Sequence, residues 1–289
     1  MNRRIRRRSP ALLALLTATL GIVAISVTTG GTFGGFTAQI ANSSNSIGTA
    51  PYFTCAQVAT ADKSTALFQL PLNESAGAIT AADTSGNSNT GTYQGTMTTS
   101  TTTPLACSRD GGSAYVLNGT SSYVSTNEAK QTDPTTFSIE VWFKTTVASG
   151  KLIGFGSSQT GASSSYDRHI YLTTAGKLTF GIYNSGYYTI TSPNAYTDGS
   201  WHQVIATLAP TGAANPGMTL YVDGKQVAVN TSYVTPQNFA GWWRIGYDAQ
   251  GSWAGAGTNP YFTGSIRYAA TYTSTLTPTQ VLNEWAAGQ

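Results

Sequence analysis

The stretch Asp198–Val229, DGSWHQVIATLAPTGAANPGMTLYVDGKQVAV, predicts two consecutive β-hairpins and decides the fold. It contains a predicted strand at Trp201–Leu208, a loop rich in Pro, Gly and Ala, and a second strand at Met218–Val222 whose side chains alternate between two faces. The dipeptide Asp223-Gly224 favours a type I′ turn, because that turn needs positive φ at both central residues. The chain therefore returns along Lys225–Val229 as a third antiparallel strand.

Short alternating runs separated by Gly, Asn, Asp and Ser extend this pattern over residues 52–289. Further strands are predicted at Ala114–Leu117, Ser122–Ser125, Phe137–Lys144, Lys151–Gly156, His169–Thr173, Lys177–Tyr183, Tyr187–Thr191, Trp242–Tyr247 and Phe262–Tyr272. The hydroxyl run Thr98–Thr103 is predicted to be a loop. One helix is predicted after Thr277, where Pro278 takes the first helical position and Gln280 completes a capping box. Many short strands with turn signals between them predict an all-β sandwich or barrel.

Residues 1–36 are predicted to be a targeting segment outside the fold. Five arginines among residues 1–8 precede the uncharged, mostly apolar run Ala11–Val27, which is the layout of a secretory signal peptide. The run is short for a membrane span, which needs about 20 residues. A cleaved signal is therefore favoured, and an uncleaved N-terminal membrane anchor is the alternative. Residues 37–51 are predicted to be a linker with a short strand, and residues 52–289 a single domain.

The positive charge of the chain resides in that N-terminal segment. Beyond residue 8 there are ten basic and twelve acidic residues, so the formal net charge of +3 does not indicate nucleic-acid binding. The remainder is poor in charge and rich in Thr, Ser, Gly and Tyr, as in extracellular β-proteins. Cys55 and Cys107 are the only cysteines, and an even pair in an exported chain predicts a disulfide. The alternatives, a metal pair or a catalytic thiol, lack ligand spacing or a neighbouring partner.

Ordered motifs along residues 65–288 carry a family resemblance. They are ALFQLPLNESAGAITAADTSGNSNTGTYQG from Ala66, AYVLNGTSSYVST from Ala114, FSIEVWFKT from Phe137, KLIGFGSS from Lys151, the opening hairpins, GWWRIGYD from Gly241 and YFTGSIRYAATY from Tyr261. In this order and spacing they resemble the laminin G-like branch of the concanavalin A-like lectin/glucanase superfamily. The resemblance implies a jelly-roll sandwich of two antiparallel sheets, here with a short C-terminal helix. It also implies carbohydrate or protein binding and adhesion outside the cell.

Several members of that family bind calcium at the rim of the sandwich. Arg267 stands where the last strand of the family usually has an acidic residue, and its guanidinium would repel an ion there. Asp83, followed by Ser85, Asn87 and Asn89, is a calcium candidate because its neighbours offer alternating oxygen atoms. A turn held by Asp and Asn side chains is the favoured interpretation. No other cofactor is expected.

The acidic residues give no local sign of catalysis. Glycoside hydrolysis needs two carboxylates roughly 5–9.5 Å apart, and no two of the twelve acidic residues beyond the signal lie within four positions of one another. The sequence has no nucleophile-elbow motif and no H-E-x-x-H motif, and His169 and His202 are its only histidines. A non-catalytic domain is predicted. A glycosidase would need a carboxylate pair formed across strands.

Aromatic and polar residues supply candidates for a sugar-binding site. Trp and Tyr stack on the apolar face of a pyranose, and Arg, Asp and His bond its hydroxyls. The predicted contacts are Asp167, Arg168, His169, Tyr171, Trp243, Arg244 and Trp253, with Tyr187, Tyr188 and Trp242 as further aromatic candidates. For each of these residues considered alone, packing within the protein is the favoured role. One of Trp242 and Trp243 must face inward, because neighbouring side chains of a strand alternate between its two faces. Trp253 is the strongest candidate because it lies in the glycine-rich loop at 251–261.

These observations predict an exported, non-catalytic domain that binds carbohydrate or a surface protein at the bacterial cell surface. The alternative is a structural or filament-forming surface protein, in which the alternating segment Phe36–Ile40 adds to a sheet of another subunit. The protein is expected to be secreted or to lie on the cell surface. Its only predicted membrane contact is residues 11–27, if the signal is retained.

Overall fold

The computed structural model describes residues 51–126, 131–232 and 234–289. The predicted signal or anchor at 1–36 and residues 37–50 of the predicted linker lie outside the described residues. Within the three described segments, no helix has both the length and the apolar character needed to cross a lipid bilayer.

Two α-helices and seventeen strands follow one another along the described chain. The helices are α1 (Cys55–Asp62) and α2 (Pro278–Gly288). The strands are β1 (Ala66–Leu70), β2 (Thr80–Ala81), β3 (Gly91–Gln94), β4 (Thr98–Ser100), β5 (Ala114–Asn118), β6 (Tyr123–Thr126), β7 (Gln131–Thr132), β8 (Phe137–Lys144), β9 (Lys151–Gly156), β10 (Tyr166–Leu172), β11 (Lys177–Tyr183), β12 (Tyr187–Ala195), β13 (Trp201–Ala209), β14 (Gly217–Val222), β15 (Lys225–Asn230), β16 (Ala240–Ile245) and β17 (Thr263–Tyr272). Short 3-10 helices occupy Lys63–Thr65 and Ser108–Asp110.

The strands form two antiparallel sheets. The first sheet has the order β15-β14-β13-β8-β17-β5-β4, and β1 also pairs with β17. The second has the order β12-β11-β10-β9-β16-β6-β3-β2, and β7 also pairs with β16. The predicted all-β jelly-roll sandwich of two antiparallel sheets with a short C-terminal helix is confirmed.

The main core lies between the two sheets. On β8, Phe137, Ile139, Val141 and Phe143 all face it and are buried, as the alternating pattern predicts. Trp243 on β16 faces it from the opposite sheet. Burying each side chain of this size contributes about 1.5–3 kcal/mol relative to leaving it exposed, so this face of β8 specifies the register of the first sheet.

The two hairpins predicted from Asp198–Val229 are both present, as β13, β14 and β15. At the turn between β14 and β15, Asp223 has φ 53° and Gly224 has φ 73°, as a type I′ turn requires. Met218, Leu220 and Val222 face the main core.

Helices α1 and α2 cover the outer face of the first sheet. Val281 of α2 packs there with Ile205, Tyr221 and Tyr272, and the rings of Trp285 and Trp142 stack with centroids 5.2 Å apart. The predicted capping box of Thr277 and Gln280 begins α2, as expected.

Helix α1 was not predicted from the sequence. Thr54 and Gln57 form a capping box at its first turn, which is the signal that marks its start. The predicted disulfide is confirmed: Cys55 in α1 is bonded to Cys107, with Cα atoms 5.6 Å apart.

Strand β4 corrects the predicted loop at Thr98–Thr103. Thr98, Thr99 and Ser100 pair with β5, and the Thr98 hydroxyl donates to the Val116 carbonyl oxygen at 3.1 Å. Thr is β-branched and suits a strand once a partner strand is present.

Candidate functional site

Residues 246–262 form a covering loop over the outer face of the second sheet. The loop is fastened to the sheet by hydrogen bonds from the Tyr171 hydroxyl to the Ala254 carbonyl oxygen and from the Lys151 ammonium to the Ala249 carbonyl oxygen, both at 2.7 Å. An isolated bridge between Thr173 and Ala256 adds a backbone contact. The covering loop therefore buries side chains that would otherwise face solvent.

Buried ion pairs involve residues of β10 and β16, the two strands that flank β9 in the second sheet. Arg168 lies within 2.5 Å of Asp167 and 2.9 Å of Asp133, and Arg244 lies 3.2 Å from Asp248. Burial raises the pKa of Asp167 to about 6, against the opposing charge of Arg168. These charges are neutralised inside the fold, as buried ions require, and are not offered to a ligand.

His169 and Tyr171 lie on the same outer face, beneath the covering loop. The His169 ring centroid is 4.2 Å from that of Trp253 and 5.0 Å from that of Tyr171. Burial lowers the pKa of His169 well below its ordinary value, so the ring stays neutral.

Trp243 is the inward-facing member of the Trp242-Trp243 pair. Its ring packs against Phe137 and Phe155 with centroid distances of 5.2 and 5.1 Å, and its Nε1 donates to Gln131 at 2.7 Å. The next residue, Arg244, faces outward but is stacked over the Tyr123 ring beneath the covering loop.

The structure thus corrects six of the seven predicted sugar contacts. Asp167, Arg168, His169, Tyr171, Trp243 and Arg244 are all fully buried and pack or pair within the protein. Direct contact with a ligand in solution is incompatible with that burial.

Trp253 is the predicted residue that borders an open pocket. This pocket, which we call the aromatic pocket, has a volume of about 220 Å³. It is lined by Ser164, Ser165, Tyr166, Tyr183, Tyr187, Gln237 and Trp253. Tyr187 is 51% exposed, whereas Trp253 is 4% exposed and supports it from below. The Tyr187 ring contacts those of Trp253 and Tyr183 in edge-to-face geometry, at centroid distances of 4.9 and 5.1 Å.

The hairpin of β11 and β12 and a glycine position these rings. Tyr183 ends β11 directly opposite Tyr187, which begins β12. Gly181, two residues before Tyr183 on the same face, has no side chain, and the Trp253 ring occupies the space that a Cβ there would fill. The pocket therefore depends on a loop tryptophan seated on a strand glycine.

The buried Asp167–Arg168 pair supports the pocket indirectly. The Tyr183 backbone N–H donates to the Asp167 carboxylate at 3.1 Å, and Arg168 Nη2 donates to the Gln237 carbonyl oxygen at 2.6 Å. The Gln237 N–H in turn donates to the Tyr183 carbonyl oxygen at 2.7 Å. Two residues predicted as contacts thus hold two residues of the pocket wall in place.

The chemistry of the aromatic pocket is that of uncharged donors, acceptors and rings. Its seven lining side chains carry aromatic rings, hydroxyls and one amide, and none is an Asp, Glu, Lys, Arg or His. Burial raises the pKa of Tyr166, and the neighbouring Tyr187 hydroxyl and Asp248 carboxylate add to the shift, so the Tyr166 hydroxyl stays protonated. Such a pocket offers ring faces for stacking and neutral groups for hydrogen bonding.

Ser164, Tyr183 and Gln237 were not predicted from the sequence as site residues, whereas Ser165 and Tyr166 belong to the loop at 165–169 that the sequence favours as functional. A signal was present for Tyr183, because it and Tyr187 flank the short turn that joins two predicted strands. Gln237 gave no signal, since its position depends on the folding of the chain after β15.

Three carboxylates meet in space, but far from this pocket. Glu140 of β8, Glu284 of α2 and Asp62 of α1 form a buried carboxylate cluster on the outer face of the first sheet. Burial raises the pKa of Glu140 and of Glu284, although Glu140 accepts a hydrogen bond from Gln203 at 2.6 Å. The helices exclude a polysaccharide from the cluster, so it does not meet the condition for a glycosidase.

Asp83 lies in a closed turn. Its carboxylate accepts hydrogen bonds from the N–H groups of Gln69, Ser85 and Asn89 and from the Ser85 hydroxyl, at 2.8–2.9 Å. These hydrogen bonds form the Asp and Asn turn predicted from the sequence. Elsewhere in the described residues, the group of three ligand-type side chains close enough to share an ion is Cys55, Cys107 and Asp110, and both cysteines are in the disulfide.

The fold and the matched sequence define the class of protein. The family model described as the concanavalin A-like lectin/glucanases superfamily, of the laminin G type, matches residues 118–282, more than half of the chain. The chain belongs to this family, as the ordered motifs predicted. No curated protein matches it significantly.

Solved structures of similar fold share little sequence with this chain. Domain 4 of AbnA, an extracellular arabinanase of family GH43 from Geobacillus stearothermophilus solved with arabinotriose, has a TM-score of 0.52 and 16% identity, over 78% of this chain and 98% of that domain. The binding domain of botulinum neurotoxin serotype D/C has a TM-score of 0.53 and 15% identity over 78% of this chain. This chain covers 53% of the neurotoxin domain. A neurotoxin DC binding domain in complex with rat synaptotagmin II has a TM-score of 0.50 and 16% identity, over 79% of this chain and 52% of that chain.

Proposed function

We propose that this domain binds a neutral saccharide through the aromatic pocket and catalyses no reaction. The observation that carries the proposal is Tyr187, a half-exposed ring braced by Trp253 and Tyr183 at the mouth of the pocket. A braced ring loses little freedom when a sugar stacks on it. The Gln237 amide and the Ser164 and Ser165 hydroxyls beside it match the hydroxyl groups of a sugar.

The lining of the pocket favours an uncharged ligand. A charged sugar would have to leave water without an opposite charge in the pocket wall, which is costly. The pocket volume of about 220 Å³ is smaller than that of most drug-sized sites, which occupy roughly 300–1,000 Å³. It therefore suits one or two sugar rings.

The family and its structural relatives support a binding role. One relative was solved with arabinotriose and another with a protein, synaptotagmin II. A carbohydrate or a surface protein is thus the class of partner to test, and the aromatic pocket favours carbohydrate.

Replacing Tyr187 tests the proposal. A glycan array probed with the purified protein is expected to show binding to neutral glycans, and Tyr187→Ala is expected to weaken it by about tenfold or more, since aromatic contacts dominate such sites. Tyr188→Ala is the matched control, because Tyr188 is the next residue of β12, points to the other face and does not line the pocket. Wild-type protein that binds no glycan, or equal loss in both variants, would contradict the proposal.

A filament-forming role is the second candidate, and the position of β12 favours it. The nine-residue strand Tyr187–Ala195 lies at the end of the second sheet, and in the described residues it is paired with β11 on one side only. The alternating residues 36–40 of another subunit are the proposed donor. Size-exclusion chromatography with and without residues 36–50 distinguishes the two roles, because only a filament loses its large assemblies on deletion.

Export completes the proposed function. Residues 1–36 direct the chain out of the cell, and the protein is secreted or stays at the cell surface through residues 11–27. Mass determination of the protein recovered from culture medium and from membranes checks this, since cleavage removes a defined mass from the N-terminus.

A further inference from the structure

A second open site lies on the outer face of the first sheet. Two adjoining cavities of about 360 and 250 Å³ share Leu105, Lys144 and Trp201 in their walls. We call these cavities together the Trp201 groove. The groove lies on the opposite side of the sandwich from the aromatic pocket and shares no lining residue with it.

The strand register places the side chains of the groove. Trp201 on β13 and Ser265 on β17 both lie directly opposite Lys144 on β8. The Trp201 ring is held in position because its Nε1 donates to the Pro104 carbonyl oxygen at 2.9 Å. A fixed indole is a surface on which the apolar face of a sugar ring can stack.

Lys144 is a half-buried cation that is not neutralised by the described chain. Its ammonium makes no ion pair and no hydrogen bond with any described residue. Arg168 and Arg244, by contrast, are in ion pairs, and Lys151 donates to a carbonyl oxygen. A cation in a cleft complements an anion more strongly than one in open water, because partial burial weakens screening by solvent.

Hydroxyl groups surround this cation and indole. Ser100, Thr102, Ser200 and Ser265 line the groove. Each hydroxyl can both donate and accept a hydrogen bond, as recognition of sugar hydroxyls requires. The chain beyond residue 8 carries more acidic than basic residues, so its net charge does not attract anions. A preference of the groove for an anionic ligand would therefore have to come from Lys144.

We propose that the Trp201 groove binds a saccharide that carries a carboxylate, such as a uronic acid. The carboxylate lies against Lys144, the sugar ring against Trp201, and the remaining hydroxyls against the serine and threonine side chains. The ligand class differs from the neutral sugar of the aromatic pocket, and the protein would hold two different glycans on opposite faces.

Titration with methyl glucuronide, followed by calorimetry and saturation-transfer NMR, tests this proposal. The purified protein is expected to bind it, and Lys144→Gln is expected to weaken binding by about tenfold or more through loss of a charge-assisted hydrogen bond. Lys177→Gln is the matched control, because Lys177 is also half-buried but lies on β11, outside the groove. It is expected to keep the wild-type affinity. In a Tyr187→Ala background, which removes the neutral-sugar contact of the aromatic pocket, methyl glucoside, which has the same ring without the carboxylate, is expected to bind at least about tenfold more weakly than methyl glucuronide.

Each other outcome overturns the proposal. These outcomes are no binding of methyl glucuronide, equal affinity for methyl glucoside in the Tyr187→Ala background, or unchanged affinity in a Lys144→Gln variant whose circular dichroism shows it to be folded. Loss of binding in Tyr187→Ala would place the uronic acid in the aromatic pocket instead. Binding of an acetylated aspartyl peptide in place of the sugar would indicate a protein partner. None of these results bears on neutral glycans at the aromatic pocket, which the Tyr187 and Tyr188 variants test separately.

Discussion

Gly181 determines whether the aromatic pocket exists, because it leaves room for the Trp253 ring. We expect Gly181→Ala to displace Trp253 and to destabilise the fold by roughly 1–3 kcal/mol, the usual cost of overpacking. Near-UV circular dichroism and urea unfolding measure the two effects. Gly186→Ala is the matched control, since the nearest atom to a Cβ there is a Tyr188 ring carbon at 3.9 Å. A Gly181→Ala variant as stable as Gly186→Ala would refute this account.

The burial of Arg168 and Asp167 could not be predicted from the sequence alone. Arg168 and Asp167 have the polarity of ligand contacts, and nothing nearby in the sequence indicates that Arg168 will bond to Pro134 and Gln237. The burial of Arg168 follows from contacts between distant segments, since its guanidinium donates to the Pro134 and Gln237 carbonyl oxygens across sequence separations of 34 and 69. The glycines around Trp253 mark a loop in the sequence, and the structure places this residue at the border of the aromatic pocket; its contact with a ligand stays a prediction.

Helix α2 is held against the first sheet by carboxyl groups that must share protons. Glu284 faces Glu140 on β8, Asp62 on α1 and the Tyr272 hydroxyl on β17, and no Lys, Arg or His of the described residues pairs with them. Burial and the neighbouring carboxylates raise the pKa of Glu284 well above its ordinary value. The cluster therefore contributes most to stability when it is protonated.

The pH dependence of stability follows from the direction of that pKa shift. The contribution of Glu284 is complete below its ordinary pKa of 4.5 and is lost as the pH rises through its higher value in the fold. We expect Glu284→Gln, which keeps the shape of the protonated acid, to match wild type near pH 4 and to exceed it by about 1 kcal/mol or more near pH 9. Urea unfolding across this range measures the difference. Parallel curves for the two proteins would disprove the role of the cluster.

A helix or strand could be predicted from the sequence when the residues that cause it to form lie within a few positions of one another. The β14–β15 hairpin and α2 were predicted because Asp223-Gly224 and the Thr277–Gln280 capping box act within a few residues. Helix α1 was missed because CAQVATAD consists mostly of small residues and has no continuous apolar stripe. Strand β4 was missed because three hydroxyl residues become a strand only through pairing with β5.

Over the whole molecule, the disulfide and the ends of the described chain lie together on one face. Cys55–Cys107 closes a loop with a sequence separation of 52, and the Cys107 N–H donates to the Gly288 carbonyl oxygen at 3.0 Å. We expect reduction to lower the free energy of unfolding by about 4 kcal/mol, since an open loop gains entropy in the unfolded chain. Differential scanning calorimetry with and without reductant measures this, and a Cys55→Ser/Cys107→Ser double variant that does not respond to reductant is the control. An unchanged unfolding temperature in the wild type would show that the helices alone hold this face.

That arrangement has a practical consequence for measuring affinity on a sensor surface. Gln289 borders the Trp201 groove, whereas the aromatic pocket lies on the far side of the sandwich. Protein immobilised through its C-terminus would present the aromatic pocket to the flowing analyte and turn the groove toward the chip. Protein coupled through a cysteine introduced at Ser164 would do the reverse, so the two orientations of one molecule would give separate readings of its two faces.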